Sequence, residues 1–287
     1  MKTLVFGAGG QLGREWLQFL SERQIPHSGF TSSDADITQP SLITELLDRE
    51  RPDVVVNCAA YTKVDKAESE PERAFLVNGW AMGKLAEACA ERKIKLVHYS
   101  TDYVFAGHRD DAASFPKGYP EDHAQAPINT YGASKADGER RLSASGCEFL
   151  LIRVAWLCGA HGPNFVKTML KLGAEREELR VVADQRGAPS FADNVVANTW
   201  TLLQGGCTGT WHIASRDATS WYALAAEALE MSGLKTRVIP ITTEDYPTPA
   251  LRPAFSRLDV TKLSGVEGVM IESWKESLAR LIPYLRT

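Results

Sequence analysis

Leu4-Val5-Phe6-Gly7-Ala8-Gly9-Gly10-Gln11-Leu12-Gly13 runs from an apolar stretch into a turn rich in glycine, and Glu15-Trp16-Leu17-Gln18-Phe19-Leu20 follows as the next helix. Strand, turn and helix together make a phosphate-cradling unit. Gly7 permits the sharp turn because it has no β-carbon to forbid positive φ. Gly10 lets the backbone approach a pyrophosphate, and Gly13 lets the helix pack closely on the strand. The free N–H groups and partial positive charge of the helix start suit the anion. The glycines stand at i, i+3 and i+6, with Gly9 offering a second register. No Lys-Ser or Lys-Thr pair follows them, which argues against a P-loop. The turn points to a bound dinucleotide.

Working outward, strands and helices alternate. Lys2 to Phe6, Pro26 to Phe30, Asp53 to Asn57, Ile94 to Ser100 and Phe149 to Ala155 read as strands. Leu12 to Arg23, Ser41 to Glu50 (Ser41 as N-cap), Pro71 to Arg92 as one long helix, and Thr130 to Ser143 read as the helices between them. The alternation predicts a doubly wound, Rossmann-like parallel α/β sheet with right-handed crossovers. After Trp156 the rhythm loosens. Asn164 to Leu172, Asn194 to Leu203, Ser220 to Met231 and Trp274 to Leu281 are expected helices, and Trp211 to Ala214 a strand. The proline-rich stretch Thr242 to Ser256 reads as an anchored loop. The expected division is a dinucleotide-binding domain over 1–157 and a smaller, mainly substrate-binding region over 158–287, partly interleaved with it.

Composition narrows the function classes. Of 287 residues, 44% are hydrophobic, enough for a substantial core. Lys plus Arg is 32 against 36 Asp plus Glu, a net charge of −4, and no strongly basic stretch invites nucleic acid. No run of 18 apolar residues suggests a membrane span, and the start reads directly into a strand without a signal peptide. Cys58, Cys89, Cys147, Cys158 and Cys207 are scattered and never in C-x-x-C spacing, as expected of a cytoplasmic protein with neither disulfides nor zinc. The histidines form no H-x-x-x-H pattern, so no catalytic metal is expected.

Ligands in open parallel sheets bind beyond the carboxyl ends of the strands. Asn57-Cys58-Ala59-Ala60-Tyr61 and Ser100-Thr101-Asp102-Tyr103 follow two such ends. The small residues of the first leave room for a ribose and nicotinamide, and Thr101 of the second points into the same cleft. Tyr131 and Lys135 stand at i and i+4 and share a helix face. A free tyrosine has a pKa of about 10. A nearby ammonium can lower it by roughly 1–3 units. A tyrosine so tuned can give a proton to a carbonyl oxygen while hydride reaches its carbon.

On these residues the chain resembles the extended short-chain dehydrogenase/reductase superfamily, and within it the dTDP-4-dehydrorhamnose reductase family. The matching stretches are Gly7 to Gly13, Asn57 to Glu68, His98 to Phe105, Tyr131 to Lys135 with Gly138-Glu139, Asn164-Phe165, Asp184 to Pro189, and Tyr246 to Leu258. The V-D-K-A-E and Y-P-T-P-A-x-R-P pieces discriminate more sharply than the glycine turn. The resemblance implies NAD(P)H-dependent reduction of the 4-keto group of dTDP-6-deoxy-L-lyxo-4-hexulose to dTDP-L-rhamnose. It implies Tyr131 as proton donor, Lys135 as its tuner and ribose anchor, and Thr101 as a partner of the keto oxygen. Val64, Asp102, Tyr103 and Trp156 would line the sugar pocket with Thr101. Gly7, Gly10, Gln11, Leu12, Gly13, Asp36, Ile37, Ala59, Ala60, Tyr61, Tyr131 and Lys135 would hold the cofactor.

Sugar-nucleotide 4,6-dehydratases carry Thr-Asp-Glu where this chain has Thr101-Asp102-Tyr103, and Tyr103 cannot act as a carboxylate base. After the second strand Ser32 and Ser33 can donate to a 2′-phosphate, although no basic residue stands with them; the reading leans to NADPH, with NADH as substitute. Some family members bind Mg²⁺ at a dimer interface through three glutamates. Glu15 matches the first and Asp193 stands near the second, but Leu281 to Thr287 supplies no third. This argues against the Mg²⁺ and against a dimer that depends on it, and leaves a homodimer of another kind open. Two other readings of the pattern are a non-catalytic regulatory subunit of the methionine adenosyltransferase type and a reductase or epimerase of another nucleotide sugar.

Overall fold

The computed structural model describes residues 1–285; Arg286 and Thr287, the end of the glutamate-free tail, lie outside the described residues. The strands are β1 (Thr3–Phe6), β2 (His27–Phe30), β3 (Val54–Asn57), β4 (Lys95–Thr101), β5 (Phe149–Val154), β6 (Glu178–Val182), β7 (Gly209–His212) and β8 (Arg237–Ile241). The main helices are α1 (Gln11–Glu22), α2 (Pro40–Glu50), α3 (Pro71–Phe75), α4 (Ala81–Glu91), α5 (Thr130–Ala144), α6 (Phe165–Glu175), α7 (Ala192–Gln204), α8 (Trp221–Met231) and α9 (Trp274–Leu281).

β1 is buried along its whole length because both of its faces are covered. Leu4 and Phe6 pack with Leu46, Leu47, Met82, Leu85 and Leu142 on one side of the sheet. Val5 points the other way, to Trp16, Leu20, Val195, Val196 and Leu202. The six-stranded sheet runs in the order β2-β1-β3-β4-β5-β7, with every neighbour pair parallel. Because β1 lies between β2 and β3, the crossovers from it and back to it leave on opposite faces. The crevice opens at the carboxyl ends of β1 and β3.

The later part of the chain enters this sheet. β7 forms its edge and α7 packs on α1. β6 and β8 form a separate two-stranded parallel sheet, with Leu179 and Val181 packed on Ala225 and Leu229 of α8.

Three details differ from the sequence reading. Pro71 to Arg92 is not one regular helix: Leu76–Trp80 is a π-helical turn between α3 and α4. Such an extra residue re-aims side chains, and here it carries Asn78 inward. Asn78 Oδ1 accepts from the Tyr61 amide at 2.8 Å, and its Nδ2 donates to Tyr61 O at 3.0 Å and Ser134 Oγ at 2.9 Å. Ser41 lies inside α2 rather than capping it, because Pro40 occupies the first turn and needs no amide partner there. β6 and β8 are strands the periodicity did not reveal. Among the described residues no helix is long and apolar enough to cross a membrane.

Candidate active site

The glycine turn divides its labour. Gly7 sits at φ +72°, and a β-carbon there would lie 2.5 Å from the Ala59 amide nitrogen; one on Gly13 would lie 2.2 Å from Gly7 O. These two positions serve contact between turn, β3 and α1. Gly9 and Gly10 instead face an opening shared with Thr31, Ser32, Asp36, Ile37, Ala59, Ala60, Tyr61 and Arg73. α1 begins at Gly10 with no side chain capping it, so its first amides are available to an anion. These features fit a dinucleotide pyrophosphate. Asp36 lines the opening while its Oδ1 accepts from Thr38 N and Oγ1, both at 2.9 Å. Arg73 was invisible to local reading, since α3 brings it from far along the chain to line the same opening as Thr31 and Ser32.

A cleft of about 430 Å³ continues from this opening, lined by Gly10, Gln11, Leu12, Ala59, Ala60, Val64, Thr101, Asp102, Tyr103, Tyr131, Lys135 and Trp156. Thr101, Tyr131 and Lys135 thus meet in one place. Thr101 ends β4, and its Oγ1 accepts from the Tyr103 amide at 3.2 Å while lying 3.0 Å from Asp102 Oδ1. Asn129 caps α5 through the Gly132 amide at 2.7 Å, and Glu68 accepts from Thr130 N and Oγ1 at 2.8 Å each. A β-carbon on Gly132 would lie 2.2 Å from Tyr103 O, so only glycine lets α5 approach this closely. The rings of Tyr131 and Tyr103 meet edge to face with centroids 5.9 Å apart.

Lys135 is 2% exposed and donates to Tyr99 O at 2.6 Å; its Nζ also lies 3.2 Å from His98 Nε2. His98 Nδ1 in turn lies 3.2 Å from Asn57 Nδ2. Burial, then the neighbouring Lys135, holds His98 well below the usual imidazole range. The residue type alone did not single it out.

Burial dominates the electrostatics of this cleft. It lowers Lys135 to about 8, with Glu139 and Cys58 opposing. It raises Asp102 to about 7, against hydrogen bonds from Ser256 and Thr101. It raises the Tyr131 phenol, which Thr101 partly offsets and Asp102 reinforces. The expected lowering of Tyr131 by Lys135 is therefore not met. Desolvation of a phenolate outweighs an ammonium that is engaged with Tyr99 O and His98.

Beyond Tyr103 and Trp156 a wider opening, about 770 Å³, is lined in part by Asp65, Phe165, Met169, Gln185, Trp221 and Arg252. Trp156 holds a left-handed backbone (φ +48°), and its ring stacks on Trp221 with centroids 3.8 Å apart. Asp65 Oδ1 accepts from Arg252 Nη2 at 2.9 Å and the Ala250 amide at 3.2 Å, and Asn129 Nδ2 donates to Leu251 O at 2.9 Å. The V-D-K-A-E and Y-P-T-P-A-x-R-P segments are thus bound to each other, 185 or more residues apart.

Glu15 and Asp193 line one surface pocket, where burial, then Asp193, raises Glu15 to about 7. Arg23 and Arg280 also line it, and Arg280 lies 2.6 Å from Asp193 Oδ2 and 2.5 Å from both oxygens of Glu272. No group of three or more His, Cys, Asp or Glu that could hold a metal occurs among the described residues.

The chain matches the family described as RmlD substrate binding domain over residues 1–287. It is 38% identical to a dTDP-4-dehydrorhamnose reductase of Burkholderia thailandensis, over 96% of each chain. Among solved structures it is similar to the dTDP-4-dehydrorhamnose reductase of Bacillus anthracis in complex with NADP, with TM-score 0.93, 36% identity and 98% of each chain covered. It is also similar to an ortholog from Clostridium acetobutylicum, with TM-score 0.94, 35% identity and full coverage of both chains.

Proposed function

The chain belongs to the dTDP-4-dehydrorhamnose reductase family, and we infer from that premise the reaction and the part each residue takes in it. The protein is an NAD(P)H-dependent oxidoreductase that reduces the 4-keto group of dTDP-6-deoxy-L-lyxo-4-hexulose to give dTDP-L-rhamnose. The observation that supports the residue roles is the meeting of Thr101, Tyr131 and Lys135 in one cleft continuous with the glycine turn.

A reduced nicotinamide, when bound, supplies the hydride. Gly9, Gly10 and the first amides of α1 would hold its pyrophosphate, Ala59 and Ala60 would leave room for the ribose and ring, and Asp36 and Ile37 would lie toward the adenosine. Ser32 and Arg73 share that opening and offer donors to a 2′-phosphate, which favours NADPH over NADH.

Tyr131 is the proton donor. Its raised pKa keeps the phenol protonated at neutral pH, so the proton is present when the keto oxygen begins to gain charge. Thr101 supplies a second hydrogen bond to that oxygen. Lys135, anchored on Tyr99 O and lining the same cleft, would donate to the cofactor ribose and offer its ammonium to the charge that develops as the proton leaves Tyr131. Val64, Asp102, Tyr103 and Trp156 bound the sugar, and the opening toward Trp221 and Arg252 receives the nucleotide part.

The test is direct. Protein, NADPH and the 4-keto sugar nucleotide are mixed and nicotinamide absorbance is followed, with the product identified by NMR. Oxidation of NADPH with formation of dTDP-L-rhamnose is expected; NADPH binding without oxidation would overturn the reading.

A further inference from the structure

Thr101 has one hydroxyl hydrogen and two lone pairs, and the residues around it compete for all three. The Tyr103 amide donates to Oγ1 at 3.2 Å and takes one lone pair. Asp102 Oδ1 lies 3.0 Å away, and Tyr131 faces the same hydroxyl. If Asp102 is a carboxylate, it can only accept, so it captures the Thr101 hydrogen. The remaining lone pair of Thr101 then accepts from Tyr131. Both hydrogens point away from any carbonyl in the cleft.

If Asp102 carries a proton on Oδ1, the direction reverses. Asp102 donates to Thr101 and fills its second lone pair. The Thr101 hydrogen is released toward the cleft, and Tyr131 no longer has Thr101 to donate to. Both donors then face the position of a substrate carbonyl.

The surroundings favour the neutral acid. Asp102 is 3% exposed, its Oδ2 meets no donor at hydrogen-bond geometry, and burial outweighs the nearby Ser256 hydroxyl and the Asp102 and Tyr103 amides that favour its charged form. A buried carboxylate with one bare oxygen is costly, whereas the carbonyl oxygen of a neutral acid is far less so. The neighbours do not supply a close cation. Tyr103 lies beside Asp102 on its own turn, Tyr131 faces it from α5, and Ser256 reaches it from the C-terminal segment. The ammonium of Lys135 is turned to Tyr99 O, and Arg252 is paired with Asp65.

We propose that Asp102 is a positioning residue that must be protonated for the reduction, because its proton decides whether the hydroxyls of Thr101 and Tyr131 point to the substrate carbonyl or away from it. This rests on the ketoreductase reading above. Burial raises Asp102 to about 7, so its neutral form prevails below that pH and is lost above it. Activity should therefore fall on the alkaline side. In kcat/KM this fall reports the free enzyme, so it is set by the open cleft. Lys135, lowered to about 8, titrates separately and remains after Asp102 is changed.

The experiment is the pH profile of kcat/KM for NADPH-dependent reduction of the 4-keto sugar nucleotide by the full chain and by Asp102→Asn. The amide of asparagine donates to Thr101 at every pH. The wild type should lose about tenfold per pH unit above the first alkaline limb. Asp102→Asn should lack that limb, whatever its absolute rate, and fall only at the later one. Glu15→Gln, at the distant surface pocket, should keep the wild-type shape. An Asp102→Asn profile superimposable on the wild type after scaling would overturn the proposal, as would a variant that binds NADPH normally and is inactive at all pH values. Should Asp102→Asn not fold, Thr101→Val serves: with no hydroxyl to orient, the first limb must vanish, and its persistence would refute the idea. A wild type that turns over no 4-keto sugar at any pH is a different failure, that of the ketoreductase reading itself.

Discussion

The cofactor end and the sugar end of this cleft are built by different means. At the end assigned to the cofactor, seven consecutive residues, Gly7 to Gly13, turn β1 into α1 and bring glycine backbone and the uncapped helix start to the opening. At the sugar end, Val64, Asp65, Tyr103, Trp156, Trp221 and Arg252 come from separate segments, tied by pairs such as Asp65–Arg252 and Trp156–Trp221. A backbone cradle recognises a feature common to dinucleotides, whereas side chains gathered from afar select one sugar nucleotide. The same fold can thus keep its cofactor site while its substrate site varies.

Substitutions can test how separate the two ends are. The largest effect is expected where they meet. Tyr131→Phe should lower kcat by about 10²–10⁴ and leave NADPH affinity unchanged, since only the proton donor is lost. Steady-state kinetics with fluorescence titration of NADPH check this, and an unaltered kcat would remove Tyr131 from its role.

Next, Gly10→Val should weaken NADPH binding by about tenfold or more, because its side chain would project into the opening that receives the pyrophosphate. The sugar nucleotide KM, measured at saturating NADPH, should move little. Equal loss at both ligands would mean the ends are not separable.

Arg252→Ala should do the converse, raising KM for the sugar nucleotide several-fold with NADPH affinity intact. In a double-mutant cycle with Asp65→Asn, a coupling of roughly 0.5–3 kcal/mol is expected, and additive effects would show that the pair does not act as a unit.

The smallest effect belongs outside both ends. Glu15, raised to about 7 by burial and Asp193, ionises less readily folded than unfolded. Its ionisation therefore opposes folding increasingly as pH rises from about 4.5 to 7, and by a constant amount above that. Glu15→Gln should raise thermal stability at pH 8 by less than about 1 kcal/mol after solvent screening, and not at pH 4. Denaturant melts at the two pH values decide it.

The two ends were also unequally legible in the chain. The turn at Gly7 to Gly13 could be read because its backbone demands are local. The Tyr131–Lys135 pair could be read because helical geometry sets which residues share a face. Arg73 was not legible as sharing an opening with Ser32, since the two are joined only by the packing of α3 in the folded chain. The π turn at Leu76–Trp80 was hidden inside a regular helical pattern, because Asn78, which it carries, finds its partners Tyr61 and Ser134 far away in the chain. β6 and β8 escaped notice because exposed positions break up their short apolar pattern, and each needs the other and α8 to cover it.

Sequence alone determined the parallel α/β plan, the glycine turn and the shared helix face of Tyr131 and Lys135, since these follow from chain sterics and short-range periodicity. Tertiary structure alone decided that Asp65 would hold Arg252, that Trp156 would stack on Trp221, and that burial would raise the Tyr131 phenol. The physical reason is that removal of water from a charged group depends on every element packed around it, and neighbours in the chain do not specify that enclosure.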